Sequence, residues 1–85
     1  MNKGESLRCV VDYDLFDCEN INGEEGYYIE YSETNNKYLV YFPECEEWAE
    51  LKEEEFERVS ETGHVPKRNK EFLSKVSRLK LTLVT

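Results

Sequence analysis

Two aromatic segments with alternating side chains, joined by a short polar turn, constrain the fold more than any other feature of this sequence. The first segment covers residues 26–31 and the second covers residues 37–42. Between them lie Asn35 and Asn36, and asparagine tolerates the positive φ that a tight turn requires. The pattern therefore predicts an antiparallel β-hairpin at the centre of the chain.

The position of the turn sets the register of this hairpin. With the two asparagines at the tip, Tyr31 is predicted to lie opposite Val40, and Ile29 opposite Phe42. The predicted core face contains Tyr27, Ile29, Tyr31, Tyr38, Val40 and Phe42. The predicted half-exposed face contains Tyr28, Glu30, Leu39 and Tyr41. A slip of one residue would bury the Glu30 carboxylate, so we expect a well-specified register.

Shorter apolar segments flank the hairpin on both sides. Residues 7–13 alternate and predict a first strand, and residues 14–25 are polar and predict a loop. After the hairpin, residues 48–51 predict a fourth strand, residues 52–55 a single helical turn, and residues 56–59 a short fifth strand. The chain is therefore expected to be mostly β.

The last part of the chain, residues 64–85, allows two structures. Pro66 and the apolar residues after it predict a helix near residues 66–76. Residues 78–83 alternate and favour an edge strand, but the spacing of apolar residues also suits one continuous helix. Because the tail is rich in leucine, we expect it to pack on the rest of the domain.

The order of elements over residues 6–60 resembles the Tudor and KOW group of Src homology 3-like small barrels. The resemblance rests on the central hairpin, on the fourth strand Trp48-Ala49-Glu50-Leu51, and on Phe56-Glu57-Arg58-Val59 after the helical turn. It implies a small antiparallel β-barrel of about five strands. The tail is an extension outside the family pattern, and residues 1–85 are expected to form one domain. The resemblance implies a binding module rather than an enzyme.

Charge is divided unevenly along the chain. Residues 1–63 carry five Lys and Arg against eighteen Asp and Glu, a net charge of −13, whereas residues 64–85 carry six against one, a net charge of +5. The acidic body repels phosphate and therefore disfavours direct binding of nucleic acid. The acidic body and the basic tail either neutralise each other on folding or face different partners.

The cysteine count and the hydropathy suggest a compartment. Cys9, Cys18 and Cys45 are an odd number without a C-x-x-C pair, so we expect neither a disulfide framework nor a zinc site. A chain without disulfides favours a reducing cytoplasm. No apolar run approaches the length of a membrane span, so we expect no membrane association.

The sequence offers no arrangement typical of an active site. Asp12 and Asp14 follow a strand as in phosphatases of the haloacid dehalogenase type, but the chain is too short for the core of those enzymes. His64 is the single histidine, and acidic neighbours disfavour the thiolates of Cys18 and Cys45. We therefore predict no catalytic residue, no metal site and no cofactor.

The candidate partner-binding residues come from a dense glutamate run in residues 44–57 and from nearby aromatic residues. They are Glu44, Glu46, Glu47, Trp48, Glu50, Glu53, Glu54, Glu55, Tyr28 and Tyr41. The glutamates suit either a solvated face or docking on a basic surface. The aromatic residues suit core packing, a protein interface or, as the Tudor resemblance implies, a cage for a methylated amine.

These observations lead to two functional hypotheses. The first is a non-enzymatic acidic module that binds and inhibits a basic or nucleic-acid-handling protein, as viral anti-defence proteins, nucleic-acid mimics and immunity proteins do. A viral or mobile-element origin would fit this class. The second is an adaptor that recognises a peptide or a modified side chain through its aromatic surface. Neither hypothesis fixes the oligomeric state.

Overall fold

The computed structural model describes residues 1–16, 18–59 and 63–84, with the side chains of the last helix described up to Lys75. The predicted end of the barrel core, residue 60, and the final residue, Thr85, lie outside the described residues. The elements are β1 (Ser6–Cys9), β2 (Glu25–Ser32), β3 (Lys37–Phe42), β4 (Glu47–Leu51), a 3-10 helix (Glu53–Glu55), β5 (Phe56–Arg58) and α1 (Lys67–Val84).

The strands form one antiparallel sheet in the order β4-β3-β2-β1-β5. The mostly β fold, the five strands and the C-terminal helix are as expected from the alternation and turn residues of the sequence. In the pairings of the described residues the sheet is open, with β4 and β5 at its two edges. The 3-10 helix connects these two edge strands along the chain.

The predicted register of the central hairpin is wrong. The turn contains the four residues 33–36, with Ser32 paired to Lys37, so Tyr31 lies opposite Tyr38 rather than opposite Val40. A single residue, Asn36, supplies the positive φ of this turn, at 55°.

The register also shifts at a β-bulge between Tyr28 and Glu30. Two residues of β2, Ile29 and Glu30, occupy the space opposite Leu39, so the side-chain alternation of β2 changes at this point. As a consequence Tyr28 lies opposite Val40, and the two predicted faces of the hairpin exchange several members.

Apolar residues pack on both sides of the sheet. One cluster contains Leu7, Cys9, Ile21, Val40, Phe42, Ala49, Leu51 and Phe56, and the loop between β1 and β2 contributes to it. The other cluster has Tyr27 and Ile29 at its centre and includes Leu39, Tyr41, Trp48, Phe72 and Leu73. Phe72 and Leu73 belong to α1, so the first half of the helix packs against the second face of the sheet.

The tail forms one helix over Lys67–Val84, so the alternative with an edge strand is wrong. The helix begins directly after Pro66, whose carbonyl accepts hydrogen bonds from the backbone N–H groups of Asn69 and Lys70. The buried Asn69 amide donates to the Gly4 carbonyl at 2.8 Å and to the Ser6 hydroxyl at 2.9 Å. These bonds fix the start of α1 against the N-terminal end of β1.

Gly4 permits this close approach. Its φ is +91°, and a Cβ atom at this position would lie 2.8 Å from Cδ1 of Leu73. A larger residue would therefore be strained in its backbone and would displace the helix side chain.

Cys18 and Cys45 form a disulfide with a Cα–Cα distance of 5.8 Å, so the prediction of no disulfide is wrong. The odd count left one pair possible, and Cys9 is the free, buried cysteine. The bridge joins the loop between β1 and β2 to the turn between β3 and β4, a proximity that spacing in the sequence does not reveal. Disulfides are typical of oxidising compartments, so the argument for a reducing cytoplasm loses its basis. Among the described residues, no helix combines the length and the apolar character needed to cross a bilayer.

Candidate protein-binding surface

The glutamate run of residues 44–57 follows the edge strand β4 and then passes to β5, at the other edge of the sheet. It begins in the turn between β3 and β4, continues along β4 and ends in the 3-10 helix and β5. Alternation along β4 buries Ala49 and Leu51 on one face and leaves Glu50 exposed on the other. In the turn, Glu46 takes a left-handed conformation with φ 52°, and its side chain is exposed.

Five of these carboxylates are exposed and form no ion pair with any described residue. We call them the acidic edge: Glu44, Glu46, Glu50, Glu53 and Glu54. A five-residue strand spans about 16 Å, so the acidic edge is long enough to face several cationic side chains of a partner.

Other glutamates of the run are engaged within the chain. The Glu55 carboxylate accepts a hydrogen bond from the backbone N–H of Lys52 at 2.7 Å and so caps the 3-10 helix. Glu57 pairs with Arg8 at 3.1 Å. Glu47 is only half-exposed. The capping role of Glu55 was missed from the sequence, although its position at the third residue of a helical turn is the signal for it.

Tyr41 and Trp48 are cross-strand neighbours, and their ring centroids lie 5.0 Å apart in an edge-to-face arrangement. Phe72 of α1 stacks on Tyr41 at 4.3 Å. Burial raises the pKa of Tyr41, and the charges of Glu46 and Tyr27 add to this effect. The structure thus brings Tyr41 and Trp48 together beside the acidic edge, but partly under the helix.

Tyr28 lies on the other side of the sheet. It is paired with Val40, the chain neighbour of Tyr41, and successive residues of a strand point to opposite faces. Its ring packs against Tyr38 at a centroid distance of 5.9 Å. The structure therefore does not bring Tyr28 together with Tyr41 and Trp48 around one cavity.

A groove of about 470 Å³ lies between the β2–β3 turn and the 3-10 helix, at one end of the acidic edge. We call it the tyrosine groove; it is lined by Tyr31, Asn35, Asn36, Tyr38, Lys52, Glu53 and Glu54. The sequence placed Tyr31 and Tyr38 in the core because of the wrong register. A four-residue turn, which sets these two tyrosines opposite each other, is the signal that would have found them.

The rings of Tyr31 and Tyr38 lie 4.6 Å apart between centroids, with their planes inclined by 54°. The Tyr31 hydroxyl donates to Oδ1 of Asn36 at 2.9 Å. Burial raises the pKa of Tyr38, and the charges of Glu53 and Tyr31 raise it further. The groove thus combines aromatic surface with a negative field, the two properties that attract a cation.

The described residues form no metal site, and comparison with known proteins identifies no family for this chain. In the described part of the chain, no group of three or more His, Cys, Asp and Glu side chains is placed to hold a metal ion. No protein-family model, no curated protein and no solved structure matches this chain. The fold and the surface define a small, acidic, mostly β protein whose acidic edge forms no ion pair with any described residue.

Proposed function

We propose that this chain is a non-enzymatic protein-binding module that docks on a basic or nucleic-acid-handling protein and inhibits it. The observation that carries the proposal is the acidic edge, whose five exposed carboxylates have no cationic partner among the described residues. Like charges in a row repel one another and destabilise the isolated domain. A cationic surface that docks on them relieves this repulsion and gains complementary contacts.

Protection of an edge strand is the competing explanation for these charges. Charged side chains on an edge strand prevent pairing with other sheets, and this explains Glu50 on β4. It does not explain Glu44 and Glu46 in the preceding turn, or Glu53 and Glu54 in the 3-10 helix, because these four lie outside the strand. The negative surface extends beyond what edge protection requires, which favours docking.

We propose that the sheet is a small barrel of the Src homology 3-like type. Support comes from the strand order β4-β3-β2-β1-β5, from the one-turn helix before β5, and from the pairing of β5 with β1. Barrels of this kind commonly present binding surfaces on loops and edges, which agrees with a docking role. This role is compatible with the cytoplasm or with another compartment.

Affinity capture with matched charge variants tests the proposal. One variant neutralises the acidic edge through Glu50→Gln, Glu53→Gln and Glu54→Gln, all at exposed positions. The control makes the same change in net charge elsewhere, with Glu19, Glu33 and Glu71 replaced by Gln. We expect wild type and control to retain a basic protein and to reduce its activity, and the edge variant to release it. Equal capture by all three proteins would contradict the proposal.

The tyrosine groove favours a second candidate function, recognition of a peptide through aromatic surface. Its rings are partly exposed, with Tyr31 39% exposed, and they adjoin the acidic edge through Glu53 and Glu54. Docking on a basic protein and recognition of a peptide therefore use the same surface. The tyrosine groove determines which chemical group of the partner binds at one end of that surface.

A further inference from the structure

Tyr38 forms the floor of the tyrosine groove. Its ring packs edge-on against Phe56 at a centroid distance of 5.0 Å and against Tyr28 at 5.9 Å, in addition to its contact with Tyr31. Phe56 is itself buried in the core cluster. These contacts hold the Tyr38 ring in place, so the aromatic surface is present without a ligand.

Tyr31 forms the wall of the groove and is held by the β2–β3 turn. Its hydroxyl donates to Asn36 at 2.9 Å, and Asn36 is fixed in the left-handed conformation of that turn. The backbone N–H of Asn35 donates to the Ser32 hydroxyl at 3.4 Å and adds a second constraint on the turn. A preformed wall lowers the entropy that binding would otherwise cost.

The opposite rim of the groove carries Glu53 and Glu54, both exposed and without an ion pair among the described residues. Among the described residues that line the groove, Lys52 is the one cation against two carboxylates, so their net charge is negative. Burial raises the pKa of Tyr38, and the charge of Glu53 raises it further, as expected for a carboxylate close to the ring. A ligand group that satisfies both sides of the groove must be cationic and must stack on an aromatic ring.

We propose that the tyrosine groove binds an arginine side chain from an extended basic segment of the protein partner. The guanidinium stacks on the exposed ring of Tyr31, contacts Tyr38 and donates hydrogen bonds to Glu53 and Glu54. This assignment rests on the proposed function, because it names the group that a basic partner presents at one end of the acidic edge.

Arginine fits the groove better than other cationic side chains do. A guanidinium is planar, weakly hydrated and able to form two parallel bonds to a carboxylate, whereas the lysine ammonium is compact and strongly hydrated. A trimethylated lysine cannot donate to Glu53 or Glu54 and gains most where aromatic rings surround it. Here two rings line the groove and the remaining lining is polar.

The test is a chemical-shift titration of the full-length protein with three peptides of equal length and charge. Glycine alternates in each peptide with arginine, lysine or trimethyllysine. We expect the arginine peptide to bind about 3- to 5-fold more tightly than the lysine peptide, in line with a cation–π contact at an exposed site. The resonances of Tyr31, Tyr38 and the β2–β3 turn should shift most.

Matched variants distinguish binding in the tyrosine groove from nonspecific electrostatic attraction to the acidic edge. Tyr31→Ala removes an exposed ring without changing the net charge, and it should abolish the preference for arginine. Tyr31→Phe keeps the ring and should retain that preference. Neutralising Glu44 and Glu46 to Gln should weaken the arginine and lysine peptides equally and leave their ratio unchanged.

The outcomes distinguish the groove from the docking function. If arginine and lysine peptides bind wild type equally, or if Tyr31→Ala keeps the preference, the arginine assignment is overturned while the docking function stands. Tightest binding of trimethyllysine also overturns it. If no peptide binds at low salt, the arginine assignment and the docking function both fail.

Discussion

Arg58 of β5 holds the fully buried carboxylate of Glu5. Its Nε and Nη2 atoms both donate to Oε1 of Glu5, at 3.0 and 2.6 Å. The other carboxylate oxygen accepts the backbone N–H of Asn2 at 3.0 Å. Both oxygens of this buried acid are therefore bonded, and the pair connects the N-terminal segment to an edge strand of the sheet.

Removing Arg58 should destabilise the domain far more than removing Arg8. Arg58→Met leaves Glu5 buried without its counter-charge, which costs about 3 kcal/mol. Arg8 pairs with Glu25 and Glu57 at the solvent-exposed surface, so Arg8→Met should cost less than about 1 kcal/mol. Urea unfolding of the two variants measures the difference. Equal midpoints would show that the pairing of Arg58 with the buried carboxylate contributes no more to stability than the exposed ion pairs of Arg8.

Phe72 should contribute most of the stability that the helix adds to the domain. Its ring stacks on Tyr41 with planes inclined by 27° and packs edge-on against Tyr27 at 5.4 Å. Phe72→Ala should lower the free energy of unfolding by about 2 to 3 kcal/mol, and it should shift the emission of Trp48 to the red as water enters. The exposed Lys75→Ala serves as control. An unchanged melting temperature for Phe72→Ala would make the tail a free arm.

Reduction of the Cys18–Cys45 disulfide should lower stability. The bridge closes a loop with a sequence separation of 27 residues, and a loop of that size corresponds to about 3 to 4 kcal/mol of stabilisation. Melting with and without reductant measures the effect, and the double variant Cys18→Ala, Cys45→Ala should be insensitive to reductant. Cys9→Ala should keep the full sensitivity. A melting temperature that reductant leaves unchanged would contradict the structural role of the bridge.

Stability should fall in alkaline solution because tyrosines are held in the protonated form. Burial raises the pKa of Tyr28, Tyr38 and Tyr41 in the folded state above the ordinary value. The folded state then binds these protons more tightly than the unfolded chain does. Their contribution is complete below about pH 10 and is lost as pH rises through the folded pKa. Tyr38→Phe should reduce the alkaline loss in urea titrations, and an identical loss in both proteins would contradict this account.

Local patterns predicted the strands, the turn and the helix because each depends on side chains that are neighbours in the sequence. The register of the hairpin depends on a four-residue turn and on a bulge between Tyr28 and Glu30, where Ile29 lies in the buried cluster that Phe72 and Leu73 of α1 pack against. The alternation of side chains within β2 predicts neither the length of the turn nor the position of the bulge. The disulfide likewise depends on a loop and a turn that meet only in the folded chain.

The candidate surface was likewise predictable where it depends on local sequence and not where it depends on the folded chain. The exposed positions of Glu50, Glu53 and Glu54 agree with the sequence because alternation in β4 and a polar helical turn place them in solvent. The grouping of Tyr28 with Tyr41 depended on the register and changed with it. The tyrosine groove was missed because it forms only when the β2–β3 turn and the 3-10 helix come together.

The most direct test of the docking function is the rate at which the captured partner associates, measured as salt is increased. Long-range attraction to the acidic edge should make association slow by at least about tenfold between about 0.05 and about 0.5 M salt. Dissociation should change much less, because it depends on short-range contacts. Reversal of Glu50, Glu53 and Glu54 to Lys should reproduce the high-salt association rate at low salt; Glu55 is left intact because it caps the 3-10 helix. An association rate that responds neither to salt nor to this triple reversal would contradict the docking function.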